Sequence, residues 1–293
     1  MYDIKALYEA ESVKDACELL LAHKDAQVLA GGSDVLVQIR EGKRAGKEFV
    51  SIYMLDELRG VSFDKEKNIR IGSLTSFSHI TNDPIIKKHI NVLGKAVDMV
   101  GGPQIRAIGT IGGNTCNGVT SADSASTLFA YDSLVEITGV DYKRTVPISE
   151  FYIKPKVVDL KPGEIQTAII IPKDSYLNTK GHYIKYAMRN ALDIATLGCS
   201  VNVRLSSDKK KFDRVRVAFG VAGPIPLRSF TAENFLKGKT INENNIKSFA
   251  KEVLKDINPR DSWRAPKDFR LHVAGVMSER SLRESIKLSG GKA

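Results

Sequence analysis

Cysteine is scarce in this 293-residue sequence: Cys17, Cys116 and Cys199 are odd in number and far apart. Such spacing builds neither a disulfide framework nor a C-x-x-C metal pair, and it fits a reducing compartment. Histidine is scarce too, and the five present show no metal-ligand spacing. Neither a Ser-His-Asp order nor a paired-carboxylate arrangement is legible. No stretch approaches the roughly 20 apolar residues of a membrane helix, and no apolar signal core follows Met1. The chain is therefore expected to be soluble and cytoplasmic, to bind no membrane, and to carry no metal and no catalytic side chain of its own.

A hydrophobic fraction of 42% over this length is enough for two packed units. The formal charge is +10, but the basic residues are spread along the chain and aromatics do not interleave with them, so no nucleic-acid partner is expected. A positive surface suits an acidic partner subunit or a phosphorylated cofactor, and it is equally compatible with a plain solvated face.

Glycine is plentiful where it is informative. Gly109-Thr110-Ile111-Gly112-Gly113-Asn114 continues into Thr115, Cys116, Asn117 and Gly118, with Ser121, Ala122 and Asp123 behind it. Successive glycines let backbone N–H groups converge on an anion, so a bound phosphate is one reading and a tight turn after a short strand, Ile108 to Ile111, is the other. A second run, Gly31-Gly32-Ser33-Asp34, lies between a strand, Gln27 to Ala30, and an apolar helical pattern, Val35 to Ile39. It reads as a phosphate loop or as a simple helix cap. Two such loops suit the diphosphate of a dinucleotide, but neither has the G-x-G-x-x-G spacing of a Rossmann fold.

The remaining pattern is mixed. Ser12 caps a helix with the stripe Val13, Ala16, Cys17, Leu20 and Leu21. Strands are predicted at Phe49–Ile52, Ile69–Gly72, Leu134–Thr138 and Ile165–Ile171, with a helix opening at Asp83-Pro84. Another helix carries Leu93, Ala96, Val97 and Val100, and Ser124 caps a short one reaching Tyr131. Lys173–Gly181 reads as a polar linker. An antiparallel meander follows, His182–Met188, Thr196–Leu205 and Phe212–Ala222, then helical patterns at Ala232–Leu236, Ile246–Ile257 and Pro266–Ile286.

The two loops, with Gly102-Pro103-Gln104-Ile105-Arg106, Ser121-Ala122-Asp123, Lys185-Tyr186-Ala187-Met188-Arg189, Asp193-Ile194 and Ser262-Trp263-Arg264-Ala265, resemble the FAD-binding subunit of molybdenum hydroxylases. Phe269-Arg270-Leu271 extends the likeness over nearly the whole chain, and the separate FAD subunit of bacterial xanthine dehydrogenases is the most similar branch. The resemblance implies an α+β fold. Residues 1–176 would form an FAD-binding PCMH-type domain, vanillyl-alcohol-oxidase-like and in two α+β halves. Residues 177–293 would form a small C-terminal α+β domain of the CO dehydrogenase flavoprotein type.

It also implies the cofactor contacts. Gln27, Val28, Leu29, Ala30, Gly31, Gly32, Ser33 and Asp34, with Gly109, Thr110, Ile111, Gly112, Gly113 and Asn114, would bind the pyrophosphate and adenosine side of FAD. Asp123 would hydrogen-bond the cofactor, Ile165 and Lys185 would line the adenine and flavin sites, and Ile194 would cover one flavin face. Animal relatives place a phenylalanine against the ring where this chain has Val100. Three scattered cysteines cannot hold the extra cluster of benzoyl-CoA reductase relatives. Molybdopterin and [2Fe-2S] clusters would sit in partner subunits, with NAD as electron acceptor. Rival expectations are the same subunit serving nicotinate, another N-heterocycle or an aldehyde, and a nucleotide-binding scaffold without redox chemistry.

Overall fold

The computed structural model describes residues 2–292; Met1 and Ala293, the outer limits of the two expected domains, lie outside the described residues. The chain opens with a strand absent from the expectations, Ile4–Glu9. Ile4, Ala6 and Tyr8 share its half-buried face, but exposed Leu7 between them breaks the apolar–polar alternation that marks a strand. It pairs in parallel with Lys47–Ser51, which pairs in parallel with Gln27–Leu29. The helix Val13–Ala22 covers this small sheet, and the Ser12 hydroxyl accepts from the Asp15 amide as its cap.

An antiparallel five-stranded sheet forms the second half, in the order Val61–Phe63, Ile69–Gly72, Ile165–Ile171, Leu134–Thr138, Lys143–Pro147. Short helices pack on it, among them Pro84–His89, which Asp83 caps through the Ile85 and Ile86 amides. Three local expectations are corrected. Ile108–Ile111 is not a strand: Pro103–Ile108 is helical, and only a single bridge joins Thr110 to Ser76. The helix with Leu93, Ala96 and Val97 ends at Val97, short of Val100. Ser124 caps nothing; the helix Asp123–Ala130 already includes it.

The C-terminal meander is Lys180–Tyr186, Leu197–Leu205, Phe212–Gly220 and a short fourth strand, Leu227–Arg228. Its central strand alternates as a two-faced strand must. Leu197, Cys199, Val201, Val203 and Leu205 join a core with the helices Phe230–Leu236, Glu243–Glu252 and Lys267–Leu288. Gly198, Ser200 and Asn202 turn the other way, towards Asp123–Ala130, a helix whose every residue is buried.

The linker Lys173–Gly181 is itself packed. The segment contains a helical turn, Lys173–Tyr176, with Ser175 and Tyr176 buried, and the core of the first sheet takes in Tyr176, Tyr183 and Ala218. Asp132, just after the buried helix, accepts from Arg216 at 3.0 Å and Arg228 at 2.8 Å on the meander. The two halves of the chain therefore share packing as well as charge pairs.

Candidate functional site

The two glycine runs meet. A Cβ on Gly31 would lie 1.8 Å from the carbonyl oxygen of Ile108, an approach that only glycine permits. Gly32 holds the turn with φ of +71°, in the left-handed region that favours glycine. Beside this contact opens a cavity of about 250 Å³. Val28, Ala30, Gly31, Gly32, Ser33 and Asp34 line it from one run, and Gly109, Thr110, Gly112, Gly113 and Asn114 from the other, with Ile165 between.

The runs differ in what they offer. In the second, Ile111 N donates to Thr75 O at 3.1 Å and Gly112 N to Ser73 O at 2.9 Å. Gly113 N donates to the Thr110 hydroxyl at 3.1 Å, and Asn114 N to Thr110 O at 3.0 Å. Those amides are already satisfied, so this run supplies a close, side-chain-free wall. In the first run the amides of Gly31, Gly32, Ser33 and Asp34 donate to no described residue. Four successive residues with unpaired amides on the wall of one cavity are the kind of backbone that suits an anion.

The acid in the cavity wall is neutralised. Glu164, its side chain fully buried, accepts from Arg144 Nε and Nη2 at 2.7 Å each, from Tyr142 at 2.8 Å and from Lys161 N at 2.7 Å. Arg144 above all holds its carboxyl down to about 2 from 4.5. Protonation thus favours the unfolded chain. The contribution to stability, up to about 3 kcal/mol, is present above pH 4.5 and is lost as pH falls towards 2. Glu164→Gln is expected to flatten that part of the stability profile, measured by urea unfolding at stepped pH; an unchanged slope would contradict it.

Other expected contacts lie off the cavity. Gln27 and Leu29 are not in the cavity wall, where Val28, Ala30 and Arg44 stand, and Gln27 reaches it only through Arg44; Ile111 is wholly buried in the core of the first sheet. Asp123 and Lys185 face each other instead, at 2.8 Å, with Tyr183 donating to Asp123 at 2.7 Å and Lys185 reaching Met99 O at 3.0 Å. Burial pushes the Asp123 carboxyl up, and Lys185 and Tyr183 pull against it. Because both side chains are over nine-tenths buried, Lys185→Ala strands a carboxylate and is expected to cost about 3 kcal/mol. The loss should grow as pH rises through the carboxylate range, in denaturant titrations of wild type and variant.

Ile194 is half exposed on the segment after Tyr186. Asp193 folds that segment, accepting from Met188 N, Arg189 N and Ile194 N at 2.9, 3.0 and 2.9 Å. Leu192 comes close to Gly102, next to the cavity residues Val100 and Ile105. Met188, Leu192 and Ile194 are exposed apolar side chains on this segment, and Leu192 is the one placed beside the cavity's Val100 side.

Residues 2–174 match the model of the FAD binding domain in molybdopterin dehydrogenase. The chain belongs to the FAD-binding subunits of molybdenum hydroxylases. Residues 182–285 of this FAD subunit match the CO dehydrogenase flavoprotein C-terminal domain. It is 39% identical to the xanthine dehydrogenase FAD-binding subunit of Escherichia coli O157:H7, covering 100% of this chain and 99% of that one. It is 30% identical to the nicotinate dehydrogenase FAD-subunit of Eubacterium barkeri, over 79% of each chain. The fold superposes on a chain of carbon monoxide dehydrogenase from Hydrogenophaga pseudoflava with a TM-score of 0.91, at 26% identity and 99% coverage of both chains.

The residues present fit FAD. Besides the four free amides, the cavity wall holds two buried polar groups without a protein partner, the Ser73 hydroxyl and one end of the Gln166 carboxamide, which a polar ligand satisfies. Gln166 is held at its other end by Thr115 at 2.7 Å and Cys116 at 3.0 Å. Burial pushes the Cys116 thiol up to about 12, so it lines the site without being reactive. Phe77, Arg44 and Glu164 also line the cavity and were missed in the sequence. A glutamine inside an apolar strand beside Ile165 was the one legible signal; Arg44 sits in a charged loop that gave none.

Proposed function

We propose that this FAD subunit is the electron outlet of a three-part enzyme acting in the cytoplasm, with a molybdenum-binding subunit and an iron-sulfur subunit as partners and purine hydroxylated outside this chain. FAD, when bound, supplies the chemistry of taking electrons from [2Fe-2S] clusters and passing hydride to NAD. The single observation that supports the reading best is the run of four unpaired amides, Gly31 to Asp34, on a cavity whose buried acid is neutralised.

In this reading the Gly31–Asp34 amides hold the pyrophosphate and the wall at Gly112 and Gly113 lets it lie close. Ile165 packs on the adenosine side. Ile194 and Leu192 would shield the flavin from water, and the small Val100 would leave room beside it for NAD. Asp123 and Lys185 act as positioning residues, since their bonds to one another fix the turn around Met99 and so the place of Val100.

The full-length similarity to a xanthine dehydrogenase subunit favours purine as the complex's substrate; the likeness to a nicotinate dehydrogenase subunit is the basis of the rival. The test is anaerobic reconstitution with a molybdenum-binding chain and an iron-sulfur chain from the same source. Xanthine should drive NAD reduction, and this chain alone should show none. Nicotinate oxidised in preference to xanthine would give the rival the case.

A further inference from the structure

Arg44 is a cation without an acid. It lines the cavity half-buried, and among the described residues no carboxylate lies within ion-pair distance of it. Its partners are neutral: Nε donates to Gln38 Oε1 at 2.7 Å and Nη1 to Gln27 Oε1. Gln38 in turn donates its amide to Asp34, which is exposed. The two glutamines therefore clamp the guanidinium plane on two sides and leave Nη2 with no partner. Holding a half-buried charge this way costs solvation that neutral oxygens repay only in part.

The rest of the wall agrees in sign. Glu164 is neutralised by Arg144, Asp34 is solvated, and the free amides of Gly31 to Asp34 share the same cavity. A fixed guanidinium without an acid partner, on the same cavity as four residues with free amides, is matched by a ligand carrying more than one anionic oxygen.

We propose that Arg44 binds the diphosphate of the dinucleotide directly, adding a fixed positive charge to the amide cradle, and that Gln27 and Gln38 exist to aim it. This rests on FAD as the ligand. It gives Gln27 an indirect role through Arg44 in place of the direct cofactor contact expected of it.

The experiment is titration of the flavin-stripped full chain with FAD, followed by flavin fluorescence, at low and high salt. Arg44→Gln is expected to bind roughly tenfold to hundredfold more weakly at low salt, with the deficit shrinking at high salt as wild-type binding is screened. Arg44→Lys, which keeps the charge without the planar fork, should recover part of the affinity. Arg44→Met serves as a second neutral replacement should the glutamine variant fail to fold. Wild-type affinity in a neutral variant, an equal deficit at both salts, or no recovery with lysine would each overturn the proposal, the second by showing Arg44 to be a scaffold for the loop alone. Wild-type protein that bound no FAD would instead remove the ligand on which the proposal stands.

Discussion

Gly113→Val is expected to give a folded protein without flavin, and Gly31→Ala a protein impaired in both flavin and fold. The difference lies in what each new side chain meets. A Cβ on Gly113 has one close neighbour, the Thr110 hydroxyl at 2.9 Å, which can turn aside at the expense of the cap bond it accepts from Gly113 N, a loss of about 1 kcal/mol. The valine methyls then point into the cavity where the ligand must lie against backbone, and an affinity loss on the order of a hundredfold or more follows from removing contacts of this kind. A Cβ on Gly31 meets a backbone carbonyl at 1.8 Å, so the two loops must part, and overpacking of this sort costs about 1–3 kcal/mol in addition. The measurement is flavin absorbance per mole of purified chain beside the thermal unfolding midpoint. A well-folded Gly113→Val protein with full flavin content would place the cofactor elsewhere.

The same variant separates electron outlet from hydroxylation. On the proposed reading, in a complex reconstituted with a molybdenum-binding and an iron-sulfur chain, Gly113→Val is expected to abolish xanthine-dependent NAD reduction while xanthine still bleaches the iron-sulfur absorbance. The reason is division of labour: the cavity described here offers amides, a clamped arginine and apolar walls, a set suited to holding an anionic dinucleotide. Nothing in that set attacks a heterocycle. Anaerobic mixing with xanthine reads both steps in one trace. If an assembled complex with its molybdenum cofactor failed to bleach, this chain would take part in the purine step and its place as the outlet would be wrong.

Legibility along the chain followed the range of the interaction. Ser12 and Asp83 were readable as caps because the groups they satisfy are two or three residues away. The meander was readable because alternation is a property of each strand. Polar composition marked Lys173–Gly181 as the join between the two units, but it could not reveal that Ser175 and Tyr176 within that join are buried. Ser124 resembled a cap because its chemistry is right; the Asn114 side chain, 2.6 Å away, takes its hydroxyl instead.

Composition and spacing marked the two glycine runs as places where backbone can approach closely or take positive φ, a local property that survives any fold, and left phosphate loop and plain turn both open; FAD came from the likeness of whole motifs to a known family. Tertiary structure alone decided which run keeps its amides. Gly112 and Ile111 lose theirs to Ser73 and Thr75, more than thirty residues earlier, whereas Gly31 to Asp34 meet no such neighbour. It likewise decided that Asp123 and Lys185 answer one another and that Arg44 turns into the cavity. A hydrogen-bond donor or a charge acts on whatever lies within about 3 Å of it, and that neighbour is chosen by packing between elements far apart in the chain.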